Sequence, residues 1–151
     1  MVSIEERVLI PVPLAQAFAY YAEYAHIQDW DPGVASSKKL TPGLLKRGDR
    51  YDVVSVFLGR RLPMTYEVVS VDAPQRVVLR GVSASGVAVD DIRFAARDAG
   101  TTEITWGLQL TLTGLGRFGE PLLKPVLRRL GREAMRGIRD SAARGQPLRS
   151  P

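Results

Sequence analysis

Cysteine is absent from the 151 residues, so the chain has no disulfide framework, no thiolate nucleophile and no cysteine-based metal site. Histidine occurs once, as His26, which rules out a histidine cluster. Apolar runs are short, and none approaches the ~18 residues that a membrane-crossing helix requires. A glycine-rich phosphate loop, a Gly-x-Ser-x-Gly elbow and metal-ligand spacing are also missing, so neither a metal nor another cofactor is expected. The opening Met1–Ile10 sets Glu5 and Glu6 beside a short apolar run, unlike a secretory leader, and a soluble cytoplasmic protein is expected.

Hydrophobic residues make up 45% and charged residues 25% of the chain, the balance of one globular domain with a real core. That domain is placed at residues 1–144, with 145–151 as a flexible tail. The net charge of +5 is unevenly distributed. From Arg117 onward nine basic residues face three acids, net +6, so the preceding chain carries −1. The basic character therefore belongs to the C-terminal stretch.

Residues 116–144 read as one long amphipathic helix. At ~100° per residue, Leu123, Val126, Leu127, Leu130, Ala134 and Ile138 form an apolar stripe, while Lys124, Arg128, Arg129, Arg132, Arg136 and Arg139 fall opposite. Pro125 removes an amide that would bond Pro121, so the regular helix starts at Pro125 or bends there, with 116–124 as an irregular lead-in. Gly131 and Gly137 each weaken it by ~1 kcal/mol relative to alanine. Gly137, at the edge of the stripe, is read as leaving room above a sheet.

The rest of the chain can supply the cover this stripe needs. Ile4–Ile10 alternates as a half-buried strand, with Glu6 as an exception on its apolar side. Pro11 and Pro13 end it, and Leu14, Ala17, Phe18 and Tyr21 recur at helical spacing up to about Glu23. A second short helical turn is expected over 25–30, stopped by Asp31-Pro32-Gly33. From Val34 the period becomes two. Strands are expected over 34–40, 49–57, 62–72, 76–82, 87–95 and 102–112, joined by short turns into an antiparallel meander.

Alternation puts Tyr51, Val53, Ser55 and Phe57, then Met64, Tyr66 and Val68, then Ala88, Asp90, Ile92 and Phe94 on the inner sheet face. The Trp106 face of the last strand joins them. Most of these are core residues. The polar departures are Tyr51, Ser55, Tyr66 and Asp90, since a buried polar group needs a partner. With Asp90 inward and Asp91 outward, Asp90 either accepts a hydrogen bond from Tyr66 or lines a wet cavity, and a one-residue slip would reverse the choice. His26 is either a general base oriented by Asp29 and Asp31, or part of a polar surface loop in which Asp31 opens the Asp-Pro-Gly turn. Trp30, Tyr20, Tyr21 and Tyr24 either seal the core or rim a pocket.

The ordered pattern resembles the START/Bet v 1-like superfamily, in particular its polyketide cyclase/dehydrase and lipid-transport branch, the SRPBCC proteins. The resemblance is carried by residues 12–20, 29–34, 46–51, 58–62, 72–76 and 99–106 and by the long basic helix. It implies an α+β helix-grip fold: a curved antiparallel sheet of about six to seven strands around a long C-terminal helix, with two short helices after the first strand. It also implies an elongated apolar cavity that binds lipids, polyketides or other hydrophobic molecules. It carries no catalytic motif onto this chain.

The leading functional expectation is a binding protein for a small hydrophobic molecule. Its ligand-binding candidates are Trp30; Tyr51, Phe57, Met64, Tyr66, Asp90, Phe94 and Trp106 on the inner sheet face; and Leu130 on the helix. The alternative is a cofactor-independent cyclase or dehydratase in which Asp90 or His26 moves the proton and Tyr66 polarises a carbonyl. A third expectation is contact between Lys124, Arg128, Arg132 and Arg139 and an anionic membrane or an acidic partner. Nucleic acid is not expected, because no aromatic and basic sheet surface accompanies the charge.

Overall fold

The computed structural model describes residues 1–148. Its strands are β1 (Val2–Ile10), β2 (Val34–Lys39), β3 (Arg50–Phe57), β4 (Arg60–Asp72), β5 (Arg76–Ser83), β6 (Gly86–Asp98) and β7 (Thr101–Leu112). They form one antiparallel sheet in the order β1-β7-β6-β5-β4-β3-β2, in which, among the described residues, only the β1–β7 pairing joins strands distant in sequence. The sheet curves, and shifts of register in β2, β4 and β6 add local twist to it. Helix α1 (Leu14–Tyr21) and a 3-10 turn (Tyr24–Asp29) follow β1, and the long helix α2 (Glu120–Ala143) lies in the grip of the sheet.

Turn chemistry fixes the meander. Leu58 and Gly59, both at positive φ (52° and 76°), make the two-residue β3–β4 connection, and that geometry matches the right-handed twist of the flanking strands. Between β6 and β7 the Asp98 carboxylate accepts the Gly100 amide at 2.9 Å, capping the turn locally. The Thr102 hydroxyl donates to the Val12 carbonyl at 2.8 Å, tying the proline-bounded link after β1 to the start of β7.

Inward positions alternate along the strands as the sequence pattern anticipates. Val2, Ile4 and Ile10 are buried on β1; Tyr51 and Val53 on β3; Met64, Tyr66 and Val68 on β4; Ala88, Asp90, Ile92 and Phe94 on β6. Against them α2 buries Leu127, Gly131, Ala134, Met135, Ile138, Ser141 and Ala142. The inward stripe keeps Leu123, Leu127, Leu130, Ala134 and Ile138 and is wider than the expected one. It takes in Met135 and Ser141, while Val126 stays half-buried.

Two expectations for this helix change. Regular α-helix begins at Glu120 rather than Pro125, preceded by a 3-10 segment, Gly114–Gly119. Pro121 sits in the first turn, where its missing amide had no helical partner, whereas Pro125 lies inside the helix, which continues past it without the bond to the Pro121 carbonyl. Gly137 makes room for another segment, not for the sheet: a Cβ there would lie 1.8 Å from the Trp30 carbonyl oxygen. The residue facing the sheet is Gly131, whose Cβ would meet Glu6, Ile4 and Trp106. Beyond α2, Gln146–Leu148 form a 3-10 turn, and 149–151 of the expected tail lie outside the described residues.

Candidate functional site

The two halves of α2 cover different ground. Its C-terminal half packs on a filled core with α1, where the Tyr21 hydroxyl donates to the Ile138 carbonyl at 3.3 Å. Its N-terminal half, through Leu123, Leu127 and Leu130, roofs a cavity of about 920 Å³ over the concave sheet. Phe57, Leu62 and Met64 line one side of that cavity, and Ala88, Trp106, Leu108 and Leu110 the other. Its mouth lies where the exposed Leu58, Arg60 and Arg61 of the β3–β4 hairpin approach the β5–β6 turn and Gly116. This volume is near the upper end of the ~300–1,000 Å³ usual for small-molecule sites.

Besides Arg60, Arg61, Ser83 and Ser85 at the mouth, the lining carries the polar side chains of Asp90, Asp31 and Tyr66. Asp90 is buried, and its Oδ2 accepts the Tyr24 hydroxyl together with the Trp106 indole N–H at 3.4 Å. Its Oδ1 is enclosed without a partner among the described residues. Burial pushes the Asp90 carboxyl up to about 6, against the opposing pull of the Tyr24 and Trp106 hydrogen bonds. Asp31, on the cavity wall, accepts the Gly33 amide on Oδ1 at 2.8 Å. Burial also raises it to about 6; the Gly33 bond opposes this, and the negative charges of Asp90 and Glu133 add to it.

Tyr66 completes the group. Its ring lies over Gly81, where a Cβ would stand 2.6 Å from the aromatic carbons, so the absence of a side chain there sets the ring's position. Burial, followed by the charges of Asp90 and Asp31, holds the Tyr66 phenol well above its ordinary value and therefore protonated. The same burial, with Asp90 beside it, raises Tyr24. The ring of Tyr24 meets that of Tyr66 edge-on at 5.4 Å.

Of the residues singled out in the sequence, Phe57, Met64, Tyr66, Asp90, Trp106 and Leu130 line the cavity. Trp30, Tyr51, Phe94 and His26 lie elsewhere. Trp30 is buried with its ring edge-on to Tyr21 at 6.0 Å, and Phe94 packs on Phe18 at 5.2 Å. Tyr51 donates to Glu23, a carboxylate that also pairs with Lys39 at 2.5 Å and accepts the Ala25 amide at 3.3 Å. His26 stacks on Tyr20 at 4.4 Å, and its Nδ1 is 2.9 Å from the Tyr20 carbonyl. Asp29 accepts the Tyr20 hydroxyl at 3.2 Å, so neither Asp29 nor Asp31 orients the histidine.

The partner of Asp90 is Tyr24 rather than Tyr66. Tyr24, read from the sequence as sealing the core or rimming a pocket, and Asp31, read as orienting His26 or opening a turn, both belong to this polar group, and the aperiodic segment after α1 offers no period to choose between such readings. The only available signal was the density of aromatic and acidic side chains there. Among the described residues no cluster of three potential metal ligands occurs, so no group of side chains is assigned to a metal.

A curved antiparallel sheet gripping a C-terminal helix over an apolar cavity defines a START-like, helix-grip protein. The chain belongs to the polyketide cyclase / dehydrase and lipid transport family, whose model matches residues 1–143. Among solved structures it resembles the Zhui aromatase/cyclase from Streptomyces sp. R1128 at 16% identity, with TM-score 0.79 over 99% of this chain and 96% of that one. A START superfamily protein from Mycobacterium smegmatis aligns at 7% identity and TM-score 0.82 over 94% of this chain and 97% of its own. The di-domain ARO/CYC BexL from the BE-7585A biosynthetic pathway aligns at 14% identity and TM-score 0.72, covering 93% of this chain and 46% of that one. At these identities the likeness is one of fold. No curated protein matches the sequence.

Proposed function

We propose that this protein binds a small hydrophobic molecule in the space between β3, β4, β6, β7 and the N-terminal half of α2. The observation that carries the proposal is the cavity of about 920 Å³ with largely aliphatic and aromatic walls. Family membership supports a role in either holding or cyclising a hydrophobic ligand. Burying ~300 Å² of apolar ligand surface is worth ~7 kcal/mol before the ~4 kcal/mol or more that association costs. Native mass spectrometry and displacement of a fluorescent apolar dye, with a panel of lipids and aromatic polyketides, test the reading. Ala88→Trp should abolish binding by filling the cavity. Failure of the whole panel to bind the wild type, or equal binding by the filled variant, sinks it.

A second reading, a cyclase or dehydratase, is favoured by one observation: Asp31, Asp90 and Tyr66 share the wall of one cavity, where burial raises both carboxyls and the phenol. A carboxylate of Asp31 or Asp90 would remove a proton from carbon next to a ketone, while the Tyr66 hydroxyl hydrogen-bonds the developing enolate oxygen. Carbon–carbon bond formation onto a second carbonyl, followed by return of the proton and loss of water, would complete an aldol dehydration. Product analysis with a poly-β-keto thioester mimic checks it. Unchanged turnover in Asp31→Asn and Asp90→Asn would exclude these acids.

The exposed cations Lys124, Arg128, Arg132 and Arg139 are proposed as a contact face for an anionic lipid surface. The support is that Leu115, Phe118 and Leu122, exposed by 86%, 69% and 79%, stand at the same end of α2 as Lys124. Co-sedimentation with vesicles should rise with anionic lipid content, and indifference to that content would refute the contact.

A further inference from the structure

A site for an apolar ligand also reads whatever polar group that ligand carries, and the polar end of this cavity is one-sided. This inference rests on the cavity being a ligand site. Asp31 and Asp90 both form part of the cavity wall. The Gly33 amide occupies one oxygen of Asp31, and no described residue donates to the other. Asp90 keeps an unpartnered buried oxygen behind the Tyr24 and Trp106 bonds. The Tyr66 hydroxyl makes no hydrogen bond with any described residue.

Among the described residues no cation pairs with either acid. The cations among the lining residues, Arg60 and Arg61, are exposed on the β3–β4 hairpin at the mouth. Lys39 is committed to Glu23 and Asp49 in a separate ion cluster. Glu133 adds further negative field on Asp31. Carboxylates enclosed in an apolar space call for a counter-charge, and a desolvated pair without one favours any cation that enters.

We propose that the ligand carries a protonated amine on its apolar body, with the ammonium seated between the free Asp31 oxygen and the Tyr66 hydroxyl oxygen. The Asp90 carboxylate lies behind that seat and adds its charge. An ammonium has three N–H donors and no acceptor, which suits a pocket end that offers acceptors. The aliphatic or aromatic body then lies along Phe57, Leu62, Met64, Leu110, Leu123 and Leu127. A carboxylate head in the same place would face two like charges, and a neutral hydroxyl would gain only hydrogen bonds.

The test compares dodecylamine, dodecanol and dodecanoate binding to the full chain at pH 7.5, by calorimetry and native mass spectrometry. The amine should bind at least about tenfold tighter than the alcohol, with the carboxylate weakest. Asp31→Asn should bring the amine down to about the level of the alcohol, while alcohol binding, carried mainly by the apolar body, should change far less than amine binding. Asp90→Asn provides the same comparison in a second background, with circular dichroism confirming that each variant folds. Alcohol or carboxylate binding as tight as the amine overturns the proposal, as does an amine preference that survives both substitutions. If none of the three chains binds and the wider panel of lipids and aromatic polyketides is also silent, the ligand-site reading falls, and the head-group proposal with it. Binding of all three with equal affinity sinks the head-group proposal alone.

Discussion

Tyr24, in the 3-10 turn after α1, donates its hydroxyl to Asp90 in the middle of β6. Both residues are buried, so this bond pins the aperiodic closing segment to the sheet at the polar end of the cavity. It also decides which oxygen of Asp90 stays free.

Tyr24→Phe keeps the ring and deletes the donor, leaving the Trp106 indole as the remaining hydrogen-bond donor to Asp90 among the described residues. A buried acceptor that loses its partner costs ~1–3 kcal/mol, so urea denaturation should show a loss of that size. Because the Tyr24 bond favours the ionised carboxyl, the Asp90 midpoint should also move upward from about 6. Carboxyl carbon NMR reads the midpoint, and an unchanged value would show that the bond does not govern the acid.

Asp90→Asn tests the linkage between this acid and folding. The carboxyl is raised from 3.8 to about 6, mainly by burial, so the native state prefers the protonated form. For a raised acid, the stabilising contribution of protonation is full below pH 3.8 and is lost as pH rises through about 6. Asparagine stays neutral and keeps an acceptor for Tyr24 and Trp106. The variant should therefore gain ~1–3 kcal/mol on the wild type above pH 7, with the gain fading toward pH 4. A stability difference flat across that range would remove Asp90 from the titration.

Both of these predictions depend on residues of different legibility. The inward set on β3, β4, β6 and β7, Asp90 included, follows from period-two alternation, because turns bounded by Gly59, Gly86 and Gly100 leave little freedom of register. Residues 22–33 have no period to read. Whether Trp30 faces the cavity or the core depends on Gly137, distant in sequence, which accepts the Trp30 backbone against α2. The role of Asp31 stays open in the sequence for the same reason: Asp-Pro-Gly marks a turn, and the packing of that turn against β3 brings the carboxyl to the cavity, with the Val56 amide bonded to the Gly33 carbonyl at 2.8 Å. The inward face of α2 is wider than the ideal wheel shows, because the wheel ignores the two glycines, whose bare faces draw neighbouring segments close.

Gly81→Ala should displace Tyr66, since the new methyl would stand 2.6 Å from its ring. Overpacking of this kind costs ~1–3 kcal/mol, and here it also shifts a proposed ligand contact. Thermal unfolding should show the loss. Titration with dodecylamine should show weakened binding even where the variant remains folded. Wild-type behaviour in both measurements would mean that the ring is free to move.

Leu58 combines a strained backbone with an exposed apolar side chain. Its φ of 52° suits asparagine or glycine in a two-residue hairpin, and its side chain is 66% exposed, so neither turn geometry nor burial explains a leucine there. Its place on the cavity lining does offer a reason, because an apolar residue at the mouth can contact the ligand body. Leu58→Asn should then stabilise the fold by ~0.5–1 kcal/mol through the relieved turn, yet weaken ligand association. Denaturation midpoints and ligand on-rates, measured on the same variant, separate the two effects. A gain in stability with unchanged binding would leave the leucine without a role at the mouth. A loss of stability would show instead that its side chain contributes to the packing of the hairpin, despite its exposure.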